Sequence, residues 1–69
     1  MARVILGVRG MNTPETVEKV KKTLSEINGI EKVDANVDQQ ATVVYDESSI
    51  TVMDLIRTLR RAGFLAGME

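Results

Sequence analysis

The hydropathy of this chain switches period repeatedly between two and 3.6 residues, and that switching limits its fold more than any other feature. Val4, Leu6 and Val8 alternate with Arg3, Ile5, Gly7 and Arg9, which predicts a strand with one apolar face. Val17, Val20, Leu24 and Ile27 then recur at helical spacing and form an apolar stripe. Alternation returns over Val33, Ala35 and Val37 and again over Ala41, Val43 and Tyr45. The polar turn Asp38-Gln39-Gln40 between them is short enough for a hairpin. A second helical stripe comprises Val52, Leu55, Ile56, Leu59 and Ala62, and Phe64–Glu69 gives a short last strand. The order is βαββαβ. Two helices with one stripe each must cover one face of a four-stranded antiparallel sheet. The expected fold is therefore α+β, a ferredoxin-like βαββαβ sandwich, with residues 1–69 forming a single domain.

The segment ends carry their own signals. Thr13 followed by Pro14 reads as an N-cap with proline at the first helical position, and Asn12 with Glu15 is an alternative capping box. Asn28-Gly29 is expected to end the first helix, with Gly29 in the left-handed position. Glu15–Lys19 and Glu18–Lys22 have the favourable i,i+4 order. Thr51 and Asp54 fit a capping box, Ile50 and Leu55 a hydrophobic staple, and Gly63 a C-terminal stop.

A chain of 69 residues buries one small core, and this one has no cysteine and no histidine. Neither disulfides nor soft metal ligands can support it, so packing must. A net charge of -1 and only two aromatic residues, Tyr45 and Phe64, give nucleic acid neither a field nor a stacking platform. No run of apolar residues approaches a membrane span, so no membrane insertion is expected. The opening MARVILGVRG is too short an apolar run for a signal peptide, and the expected location is cytoplasmic. No histidine, cysteine, paired carboxylates or glycine-rich phosphate loop suggests an enzyme.

Three stretches, VILGVRGM, GIEKVDANVDQQATVVYD and LIRTLRRAGFLA, together resemble the heavy-metal-associated domain of copper chaperones and metal-transporting P-type ATPases. The resemblance implies the same βαββαβ fold and a first loop of the form Gly-Met-x-Cys-x-x-Cys. In that loop two thiolates hold one Cu(I) or a soft divalent ion. Thiolates suit it because a helix N-terminus lowers thiol pKa and soft sulfur suits a soft ion. Here the loop reads Gly10-Met11-Asn12-Thr13-Pro14-Glu15-Thr16, so Thr13 and Thr16 stand at the cysteine positions. Neutral hydroxyls are poor ligands for such an ion.

The metal site implied by the family is therefore expected to be degenerate at Met11, Thr13 and Thr16, with no cofactor. Met11 is read as packing under the loop. Phe64 matches a family position often held by tyrosine beside that loop. Basic residues Lys19 and Lys22 on the first helix and Arg57, Arg60 and Arg61 on the second, with Phe64, are the candidate docking surface. The resemblance implies a protein partner such as a P-type ATPase or another domain of the same fold, a homodimer being one form of the latter. The first expectation is a non-metallated interaction or regulatory module. The alternative is a copper or heavy-metal chaperone or transporter domain with an atypical or mutated site, where Cu(I) or Zn would be bound. A small-molecule-binding regulatory domain is a further alternative, resting on fold analogy alone.

Overall fold

The computed structural model describes residues 1–68. Its elements follow the expected order: β1 (Ala2–Arg9), α1 (Pro14–Ser25), β2 (Ile30–Asn36), β3 (Gln40–Tyr45), α2 (Val52–Arg61) and β4 (Leu65–Met68). The strands form one sheet in the order β2-β3-β1-β4, with every neighbouring pair antiparallel. β1 and β3 are central, and their inward residues Leu6, Val8, Ala41, Val43 and Tyr45 are buried. Val17, Val20 and Leu24 from α1 and Leu55 and Leu59 from α2 close the same core. Each buried valine or leucine among them contributes about 1.5–3 kcal/mol. The sandwich is thus the one the two helical stripes, the three alternating runs and the short last strand require.

Both helices start on reciprocal caps. Thr51 Oγ1 accepts from the Asp54 N–H at 3.3 Å, and Asp54 Oδ2 accepts from the Thr51 N–H at 3.0 Å. Ile50 and Leu55, the staple residues, are both buried. α2 ends as the sequence predicts: Gly63 has φ +96, its N–H donates to the Arg60 carbonyl, and the Phe64 N–H donates to the Leu59 carbonyl. This pair of bonds is a Schellman motif, and it turns Phe64 into the core.

The bond from the Thr51 N–H, with the Thr51 hydroxyl and Arg57 as smaller influences, holds the Asp54 carboxyl below the usual aspartate range. A carboxylate with a depressed folded-state pKa stabilises the fold above its unfolded pKa. That contribution is lost as pH falls through the lower folded value. The melting temperature is therefore expected to be flat near neutrality and to fall below about pH 4. Asp54→Asn should flatten part of that acid limb, which thermal melts across pH would show.

Four local expectations are corrected. α1 stops at Ser25 with Glu26 as its cap, ahead of Asn28-Gly29. Gly29 is left-handed (φ +99) but serves the turn into β2, where its carbonyl accepts the Asp46 N–H at 2.8 Å. Val37 is 52% exposed in the hairpin turn and not in β2, because the turn is Val37-Asp38-Gln39 and Gln40 already pairs with Asn36. On α1 the ion pair among the described residues is Glu18–Lys21 at 4.0 Å, three residues apart and not four. Residue 69 of the expected last strand lies outside the described residues.

Candidate functional site

One end of the sandwich gathers three connections: residues 10–13 after β1, the hairpin turn 37–39, and Gly63-Phe64 before β4. Antiparallel pairing brings them there, since Gly7 faces Gln40 and Arg9 faces Leu65.

Thr13 and Thr16 are bound to each other. Thr13 is the N-cap of α1 and Thr16 its third residue. Thr13 Oγ1 accepts the Thr16 N–H at 3.3 Å, and Thr16 Oγ1 accepts the Thr13 N–H at 3.1 Å. The Thr16 hydroxyl donates to the Thr13 carbonyl at 2.9 Å, and the two hydroxyl oxygens lie 3.0 Å apart. This is a complete capping box built from two threonines. The Asn12–Glu15 alternative is not used. Both hydroxyls are occupied in starting the helix, and an alcohol oxygen offers a soft cation little. Among the described residues no group of three or more histidine, cysteine, aspartate or glutamate side chains could hold a metal ion. The residues present do not fit a thiophilic ion.

The side chains around the cap are packing groups. Met11 is fully buried in the core. Phe64 is 6% exposed and lies under the loop: a Cβ on Gly10, which has φ +95, would sit 3.6 Å from its ring. Lys19 Nζ stands 5.8 Å from the centre of the Phe64 ring, so the structure brings these two candidates together in a cation–π contact. Lys22, Arg57, Arg60 and Arg61 are exposed on the two helices.

One residue at this end was not foreseen. Gln39 has a left-handed backbone, φ 65, at the third position of the hairpin turn. Its carbonyl accepts the Val8 N–H at 2.8 Å and its Oε1 accepts the Gly10 N–H at 3.0 Å. It ties the hairpin turn to the first loop. The turn is a three-residue one, with the Asn36 side chain accepting the Asp38 N–H, and glycine is the residue such a turn usually announces. With glutamine there, only a polar run is visible at residues 38–40.

The family profile described as heavy-metal-associated domain matches residues 5–64. The chain belongs to the heavy-metal-associated domain family. Among family relatives, the mercuric transport protein periplasmic component of Pseudomonas aeruginosa is 36% identical over 67 residues, 96% of this chain and 74% of that protein. An uncharacterized protein of Haemophilus influenzae is 27% identical over 64 residues, 93% of this chain and 94% of its own. Among solved structures, a copper binding domain from HMA7, a P-type ATPase, superposes with a TM-score of 0.96 at 27% identity, covering 100% of this chain and 95% of that one. Oxidized MerP from Ralstonia metallidurans CH34 superposes with a TM-score of 0.94 at 30% identity, covering 99% and 96%. The family's loop is thus present here in position, with threonine in place of both cysteines the resemblance implies. No helix among the described residues is long and apolar enough to cross a membrane.

Proposed function

We propose that this chain is a non-metallated docking module of the heavy-metal-associated family. It keeps the scaffold and has given its metal loop over to helix capping. The observation that carries this reading is the reciprocal Thr13–Thr16 box, which occupies both hydroxyls at the positions where the family's thiolates would be needed. The partner is a protein, with an acidic face on a P-type ATPase domain or another domain of this fold as the best chemical match. Lys19, Lys22, Arg57, Arg60 and Arg61 supply steering; Phe64, expected on the docking surface, is instead a core residue under the loop and only backs the Lys19 side chain from below. The reading includes no catalytic role and a cytoplasmic location. The mercuric relatives are by name periplasmic, and cell fractionation separates the two compartments.

A second reading, metal trafficking through an atypical site, is favoured by the company of mercuric transport and copper-binding relatives. One titration separates the two. Under reducing conditions the isolated chain is expected to take up neither Cu(I) nor Zn²⁺ more tightly than micromolar, by competition with a chromophoric chelator. Submicromolar binding of either ion would overturn the docking-only reading.

A further inference from the structure

The two edges of the sheet are built differently. β2 carries exposed Glu31, Lys32 and Asp34, with Lys32 and Asp34 3.7 Å apart. Charges of this kind guard an edge against another strand. β4 is Leu65-Ala66-Gly67-Met68, with no charge, and Leu65 and Met68 are 59% and 67% exposed.

Half of the polar backbone of β4 faces away from the sheet. The Val8 N–H donates to Gln39 on the β3 side, so in an antiparallel ladder Gly7 and Arg9 turn their polar groups toward β4. There they meet Gly67 and Leu65. The N–H and C=O of Ala66 and Met68 therefore point outward along the edge.

Gly67 has no internal reason to be glycine. Its φ is not in the left-handed region, and a Cβ added there would meet nothing within 4 Å. Glycine inside a strand weakens it and often marks the close approach of another backbone. Gly67 lies opposite Gly7 in the ladder. The two sit in a groove of about 540 Å³, whose lining also includes Arg9, Leu65, Asp38 and Gln39.

We propose that β4 is a self-association edge, on which a second copy of this chain adds its own β4 antiparallel. The outward N–H and C=O of Ala66 set the register. A two-fold axis at Ala66 pairs Ala66 with its equivalent and lays Leu65 of each copy across Gly67 of the other. The two four-stranded sheets join into one. Among the described residues the strand meets its copy with no like-charge contact, and the groove beside it carries one charge of each sign, Arg9 and Asp38. A four-residue edge buries less than the about 1,200 Å² of stable interfaces, so the dimer is concentration-dependent. This surface is separate from the docking residues above, and the inference does not rest on them.

Sedimentation equilibrium of the full chain from micromolar to millimolar loading tests it. The native chain is expected to self-associate. Leu65→Lys, a change at an exposed position, should need roughly ten-fold or higher loading to dimerise, because an edge lysine opposes pairing. Lys22→Glu on α1 should associate as the native chain does. A native chain that stays monomeric throughout, a Leu65→Lys variant that matches it, or a Lys22→Glu variant that abolishes association would each overturn the proposal. The chain has no cysteine, so Ala66→Cys carries its only thiol. Oxidation should link that variant into a dimer and leave a Lys32→Cys variant monomeric, whereas equal behaviour of the two would also overturn it.

Discussion

Thr13→Cys combined with Thr16→Cys is expected to convert the loop from a helix cap into a Cu(I) site, with affinity rising from weaker than micromolar to well below it. The backbone needed is already in place. Position 13 is the N-cap and position 16 the third helical residue, so both thiols would sit among the unpaired N–H groups and positive dipole of α1. That setting lowers thiol pKa into the range where thiolate forms at neutral pH. The present hydroxyl oxygens are 3.0 Å apart, drawn together by hydrogen bonds. Two sulfurs on opposite sides of one ion, each at about 2.3 Å, would lie about 4.6 Å apart. Thiols are weak hydrogen-bond partners, so the side chains are free to open to that spacing. Loss of the threonine box should destabilise the apo variant by about 1 kcal/mol, and metal binding should more than restore it. Chelator competition and a thermal melt with and without Cu(I), both under reductant, measure the two effects. A double variant that folds and still ignores Cu(I) would mean that more than two side chains separate this loop from a metal site.

The fold was legible because each element announces itself by period and by punctuation. The strongest signals are the alternation around Leu6 and Val8 and around Val43 and Tyr45, and these prove to be the central strands. A strand buried on one face and paired on both sides must show that pattern. Thr51-Asp54 and Gly63 fixed α2 to the residue, because caps are made by local side-chain and backbone bonds. Boundaries set by tertiary context were less legible. Val37 continues the alternation of β2, but the hairpin needs a third turn residue, and Val37 supplies it at the surface. Asn28-Gly29 looks like a helix stop. The chain leaves the helix earlier, and Gly29 is required where it passes the loop before α2: a Cβ there would lie 3.0 Å from the Ser49 Cβ.

At the site, the sequence showed that sulfur was missing and that Thr13 could cap. It did not show that Thr16 completes the cap. The expected partner in a capping box is glutamate or glutamine, and a threonine at that position carries no such signal. The Gln39 contact to Gly10 spans 29 residues and depends on a left-handed glutamine, so no local rule reveals it. The same holds for the β4 edge. A glycine in a strand is visible in the sequence, but whether its Cβ would find a neighbour is a property of the packed structure alone.

Met11→Ala should be the most damaging single change in the loop, and its effect should be on folding. Met11 stands beside the degenerate site in the sequence, and its side chain is 0% accessible and belongs to the main core. Truncating a buried methionine to alanine costs about 2–5 kcal/mol through lost transfer energy and the cavity left behind. At about 0.05–0.15 kcal/mol per residue, a chain of this size holds only about 3–10 kcal/mol in total. The melting temperature is therefore expected to drop by about 10–30 °C, and a large unfolded fraction should be present at 37 °C. Met11→Leu keeps nearly the same volume and should cost less than about 1.5 kcal/mol. The pair separates two roles that the residue's position beside the loop confuses. If Met11 is packing, leucine rescues stability, and Met11→Leu placed in the Thr13→Cys, Thr16→Cys background leaves Cu(I) affinity unchanged. If its thioether were a ligand, leucine would preserve the fold and still lose affinity, since no carbon atom replaces a sulfur donor.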